Sequence, residues 1–148
     1  MNTKMTNCKP SPTPHCAGIT LTTKDSEAQE LDIASKQKRQ QLFGSLHYLA
    51  DCTRPDIACI AEQLERCVSQ PTTTHYKAAL WALRCLRGAR THGITHGPYH
   101  SPLNSYANSG HAADPDTRLF TTGSIHSFNG GPISWKSTKQ RSAAPIYH

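Results

Sequence analysis

The sequence predicts an α+β chain, a small three-helix module followed by a three-stranded antiparallel sheet. Three observations predict it. Apolar residues recur at helical spacing between residues 35 and 90, the pattern turns strand-like after residue 98, and Asn129-Gly130-Gly131 has hairpin-turn composition. The boundaries that follow are residues 1–34 as linker or disordered tail, 35–97 as helices, and 98–148 as strands.

Residues 1–34 are rich in Thr, Pro, Ser and Lys, with Pro10, Pro12 and Pro14 alternating and no apolar period. Helix 1 is expected from Ser35, a good N-cap, to about Asp51. Leu42, Leu46 and Leu49, with Phe43 and Ala50, form its apolar stripe, and Gly44 offers room for a close backbone. Helix 2 is announced by Thr53-Arg54-Pro55-Asp56, with Pro in the first turn and Asp at the positive end of the helix dipole. Its buried face is Ile57, Ile60, Ala61, Leu64 and Val68, and it ends before Pro71. Helix 3 is expected over His75–Arg87, burying Tyr76, Ala79, Leu83 and Leu86, with Gly88 as the stop. Trp81 falls opposite that face and marks a surface that packs on another chain.

The strands are expected at Leu103–Ala107, Leu119–Phe128 and Pro132–Lys136. Asn108-Ser109-Gly110 follows the first of them, where a polar residue beside a hairpin is often placed for chemistry. Between the first two strands lies Asp114-Pro115-Asp116-Thr117-Arg118. It reads either as an Asp-Pro turn with Asp116 or Thr117 capping and Arg118 pairing, or as two carboxylates able to hold a cation weakly.

Composition narrows the function classes. The chain has 148 residues, of which 36% are hydrophobic and 7% aromatic, so its core must be thin. No apolar run reaches the ~20 residues of a spanning helix. The polar, Pro-rich N-terminus does not read as a signal peptide, so an intracellular placement is expected, in cytoplasm or nucleus. Cys8, Cys16, Cys52, Cys59, Cys67 and Cys85 then read as free thiols. His92, His96 and His100 recur every four residues, but Gly93, Gly97 and Pro98 break any helix that would stack them, so no metal site is expected. Net charge is +6, and residues 35–100 hold nine of the bases against four acids. Any polyanion site is therefore expected on the helices. Lys77, Arg84, Arg87 and Arg90, with Lys36, Lys38 and Arg39, read either as a solvated face with favourable helix-end charges or as a phosphate-facing stripe.

Several stretches in order resemble one known family. Leu42-Phe43-Gly44-Ser45-Leu46-His47-Tyr48-Leu49-Ala50 and Thr53-Arg54-Pro55-Asp56-Ile57-Ala58 resemble the segment after the polymerase palm in copia-type (Pseudoviridae) retrotransposon Pol polyproteins. His75-Tyr76-Lys77-Ala78-Ala79, Leu86-Arg87-Gly88, Asp114 to Arg118 and Gly130-Gly131-Pro132-Ile133-Ser134-Trp135-Lys136-Ser137 continue the resemblance. Asn7-Cys8-Lys9-Pro10 resembles the linker after the palm. The resemblance implies a reverse transcriptase thumb/connection-like helical module, then the N-terminal part of a ribonuclease H-like domain.

The same resemblance speaks to activity. Ribonuclease H chemistry in the family uses Mg²⁺ held by a carboxylate cluster. The family's first catalytic Asp falls on Asn108, a neutral amide that supplies no anionic ligand to a hard cation. The acidic residue usual two positions later is Gly110, and the usual Trp beside it is His111. Tyr48-Leu49-Ala50-Asp51 reads as helical and not as the polymerase's metal-binding loop. The expectation is a catalytically inactive remnant with no cofactor of its own. The alternatives are a non-catalytic module binding RNA–DNA hybrid or duplex backbone through Lys77, Arg84, Arg87 and Arg90, and a fragment docking to a fuller Pol protein.

Overall fold

In the computed structural model, residues 8–16, 18–24, 32–98, 100–110 and 116–140 are described. The chain divides into two compact units, Met1–Gly93 and Ile94–His148. The first is helical, with α1 over Ile33–Cys52, α2 over Ala58–Arg66 and α3 over Thr73–Gly88. The second is a sheet of β1 (Asn104–Gly110), β2 (Thr121–Phe128) and β3 (Gly131–Lys139). The mixed α+β class and the three-plus-three element count agree with the sequence reading.

Each helix begins where side chains satisfy its first amides. Asp32 caps α1 by accepting from the Ser35 N–H at 3.2 Å, so the helix starts two residues before the expected cap at Ser35. That hydrogen bond holds the Asp32 carboxyl below the usual carboxylate range. Pro55–Ile57 forms a 3₁₀ turn that leads into α2, which fits a residue with fixed φ and no N–H to satisfy. Thr72 caps α3 with a reciprocal pair: the His75 N–H donates to Thr72 Oγ1 at 3.3 Å, and the Thr72 N–H donates to His75 Nδ1 at 3.0 Å. The His75 proton then sits on Nε2, which faces the Thr22 carbonyl at 3.0 Å.

One apolar cluster holds the helical unit. Phe43, Leu46, Ala50, Ile57, Ile60, Ala61, Leu64, Ala78, Ala79 and Ala82 are all within 4% of full burial. The buried face of α2 is the one the spacing predicts, with Val68 packed at its edge. On α1 the buried seam is Phe43, Leu46 and Ala50, while Leu49 is exposed. On α3 the face is rotated from expectation: His75, Ala78, Ala79, Ala82 and Cys85 are buried, and Tyr76, Leu83 and Leu86 lie at its margins. The small residues point at the seam because helices that meet there come close, and the larger ones fill the flanks. Gly44 is exposed, and a Cβ there would meet nothing among the described residues, so none of them supplies the close backbone expected beside it.

Residues 8–24 differ from what their composition suggests. Within the stretch expected to be linker or tail, Leu21 is buried in the helical core and Ile19 packs against it. Two apolar residues in a polar, Pro-rich segment are enough to anchor it, and they are too few to show a hydrophobic period.

The sheet is antiparallel in the order β1-β2-β3. β1 and β3 run past their expected ends, while β2 begins two residues later than expected, so that Asn108 lies inside β1, paired with Gly123, and not past its end. Asn129 and Gly130 form the two-residue turn with φ of 49° and 79°, the left-handed pair that matches the twist of a hairpin. A register shift falls between His126 and Ser127. Gly131 is buried, and a Cβ there would run into the Thr95 carbonyl oxygen and the His96 ring. Thr95 and His96 belong to an extended piece, 94–97, fastened to the hairpin by the Gly97 N–H donating to the Asn129 carbonyl at 3.0 Å. By register, Tyr106, Ile125 and Trp135 form a row on one face, beside the row Asn108, Gly123, Ser137. The other face is polar: His126 Nδ1 meets Ser105 Oγ at 2.8 Å and Gln140 Nε2 donates to Thr122 Oγ1 at 2.7 Å.

Candidate functional site

Two places carry the residues singled out from sequence, Asn108 on the sheet and the basic residues on the helices. Asn108 is exposed, and its Oδ1 accepts from the N–H of Ser109 at 2.9 Å. The amide is thus turned along its own strand. Among the described residues, no three His, Cys, Asp or Glu side chains group together as a metal site would require. Arg118, at the end of the acidic loop, adopts φ 58°, and Leu119 N–H donates to Thr117 Oγ1 at 3.4 Å, so this end of the loop is a local turn. Asp114 lies outside the described residues.

The four α3 cations fall into two pairs. Lys77 and Arg90 are exposed. Arg84 and Arg87 are half-buried under the N-terminal segment: Arg84 Nε donates to the Lys9 carbonyl at 2.7 Å, and Arg87 Nη1 donates to the Cys8 carbonyl at 2.8 Å. Trp81 joins them, with Nε1 donating to the Thr13 carbonyl at 2.9 Å and its ring 4.7 Å from the Arg84 guanidinium. The surface marked by Trp81 is therefore covered by this chain's own residues 8–14, where the sequence suggested another chain. Of the α1 cations, Arg39 lies over the Tyr76 ring at 5.2 Å and donates to the Pro71 carbonyl at 3.3 Å.

Sequence reasoning missed the part played by Arg54. It is 8% exposed and grips Asp56 with two hydrogen bonds, Nε to Oδ1 at 2.8 Å and Nη2 to Oδ2 at 2.6 Å. Its remaining Nη1 donates to the Ala89 carbonyl at 3.1 Å, at the C-terminal end of α3. The bidentate pair holds the Asp56 carboxyl well below the usual range and raises Arg54 further above its own. The signal was present as Arg-Pro-Asp, where a rigid Pro between opposite charges fixes a fork against a carboxylate. An open cleft beside this pair is lined by Pro10, Pro12, Asp56, Cys85 and His92. Burial pushes the Cys85 thiol up, so it stays protonated near neutrality and is a poor nucleophile.

Known proteins resemble this chain along most of its length. The Pol polyprotein of transposon TNT 1-94 from Nicotiana tabacum is 34% identical over 95% of this chain. The Pol polyprotein of transposon RE2 from Arabidopsis thaliana is 32% identical over 94% of it. The secreted RxLR effector protein 161 of Plasmopara viticola is 35% identical over 68% of this chain and 72% of its own length. The chain is therefore similar in sequence to a short segment of retrotransposon Pol polyproteins. It spans only 11% and 9% of the tobacco and Arabidopsis polyproteins. No family model matches the chain, and no solved structure does.

Proposed function

We propose that this chain is a non-catalytic piece of a copia-type Pol polyprotein, thumb/connection-like in its helices and ribonuclease H-like in its strands, with neither polymerase nor nuclease activity. The carrying observation is Asn108. It stands where the resemblance puts the first catalytic Asp, and its amide oxygen is taken up by the neighbouring backbone N–H. A two-cation mechanism needs anionic oxygens at fixed spacing, and an amide flanked by Ser109 and Gly110 offers none. Supporting the same reading, Tyr48-Leu49-Ala50-Asp51 lies within α1 and its last turn, a conformation unlike a metal-binding loop.

The test is cleavage of an RNA–DNA hybrid by pure protein in Mg²⁺ or Mn²⁺. The expected rate is that of the protein-free control, for the native chain and for Asn108→Asp alike. Metal-dependent cleavage by the native chain that is lost in Asn108→Ala would overturn the proposal.

A second reading, binding of hybrid or duplex backbone without catalysis, is favoured by the exposed Lys77 and Arg90. Such binding should weaken as salt rises and be indifferent to base sequence. With Arg84 and Arg87 engaged by the N-terminal segment, few phosphate contacts remain, and the salt slope should be shallow, on the order of two counterions. An intracellular, reducing placement goes with both readings. No described helix is long and apolar enough to cross a membrane.

A further inference from the structure

We propose that the Trp81–Arg84–Arg87 stripe of α3 is a receptor for proline-spaced peptide segments, filled in this chain by its own residues 8–14. The stripe presents three donors at helical spacing, and each meets a main-chain carbonyl: Trp81 to Thr13, Arg84 to Lys9 and Arg87 to Cys8. The Thr13 carbonyl takes the Trp81 donor besides one from Ser11 Oγ at 2.8 Å. Indole and guanidinium nitrogens donate and do not accept, so the surface matches a segment that turns carbonyl oxygens toward it. Proline-spaced chains are that kind of segment. They lack N–H groups at the prolines, and their carbonyls have no regular internal partners.

Two further features fit the occupant's shape. Gly88 has no Cβ, and one placed there would stand 2.9 Å from Pro10 Cβ, so the ring settles where any other residue would push it off. The Ser11 N–H, the donor between Pro10 and Pro12, points back to the Arg84 carbonyl at 3.4 Å. Arg84 stacked on Trp81 forms a flat, pre-set platform, and rigid donors lose little freedom on binding. Aromatic surfaces with donors aimed at carbonyls are how proline-rich ligands are read elsewhere in protein chemistry. Nearly all the polar contacts go to backbone, so the receptor reads carbonyl position along a chain shaped like residues 8–14.

Because the native segment is tethered, it competes at an effective concentration in the millimolar range. A second peptide should therefore bind only once the tether is cut. The experiment inserts a specific protease site in the full chain after Gly18, which is exposed and has open space around its Cα. After cleavage, a fluorescent peptide of residues 7–16 is added, and helicity is followed by circular dichroism. The proposal expects the cut chain to stay helical, to release its 1–18 piece on dilution and to bind the labelled peptide saturably. Replacing Pro10, Pro12 and Pro14 of the peptide by Ala, or Arg84 of the receptor by Ala, should weaken binding about tenfold. Trp81→Phe, which keeps the ring and removes the donor, should weaken it by a smaller factor. Equal binding of the Ala-substituted peptide would overturn proline-based recognition. No saturable binding to a helical cut chain would overturn the receptor itself. Loss of helicity on cutting would also overturn it, by making residues 8–14 a structural strand of the helical unit.

Discussion

The helical unit and the sheet unit are held by different forces. The helices share one dry cluster in which Ile57, Ala61, Leu64, Ala79 and Ala82 are fully buried. In the sheet unit, Gly131 is the one buried position among the described residues, while Tyr106, Phe128 and Ile133 are exposed. Burial of apolar surface stabilises the first, and a hydrogen-bonded ladder with cross-strand pairs maintains the second. Three strands with a hydrophobic face are about the smallest sheet that is stable by itself. The two units should therefore respond differently to the same kinds of change.

The largest separation should come from Leu64→Ala. A fully buried Leu truncated in a core costs about 3 kcal/mol, so the helical melting transition should drop sharply while amide exchange in β2 and β3 is unchanged. Simultaneous loss of both would mean the units fold as one. Next in size is Gly131→Ala. The new Cβ meets the backbone of Thr95, so residues 94–97 must detach from the hairpin at a cost of about 2 kcal/mol. The readout is exchange of the Gly97 amide, with helix stability unaffected.

Arg54→Ala should cost the helical unit about 1–2 kcal/mol. It removes two bonds to Asp56 and one to Ala89, but Asp56 is half-exposed and water compensates in part. The pH dependence has a definite sign. Asp56 has a folded value below its unfolded one, so its contribution is present above about pH 4 and lost as pH falls through the depressed folded value. Helical stability of the native chain should thus decline on acidification through that window, and more than that of Arg54→Ala. Smallest of all, Ile125→Ala should change chemical denaturation by under about 1 kcal/mol, since its row is only partly buried.

Legibility also differs between the units. The α2 face could be read because Ile57, Ile60, Ala61 and Leu64 are large or small apolar residues at unbroken helical spacing. The hairpin could be read because Asn129-Gly130 supplies the positive φ the turn requires. Side-chain size misplaces the α3 face, because close helix contact selects Ala78, Ala79 and Ala82. The docking of residues 8–14 was hidden for a different reason. It depends on carbonyls, which every residue has, and on donors 68 to 79 residues away in the chain. Asn108 was legible as a residue type, but its place inside β1 depended on a strand that runs through Ser109 and Gly110 despite their low strand propensity.

The central claim is that the sheet has no functioning metal site. It is tested most directly by titrating the native chain with Mn²⁺ and following paramagnetic broadening of the backbone amide signals. The account predicts no selective broadening around Asn108, Gly123 and Ser137 at millimolar Mn²⁺, with Asn108→Asp alone adding at most weak broadening. Selective loss of those three signals at micromolar Mn²⁺ in the native chain would contradict it.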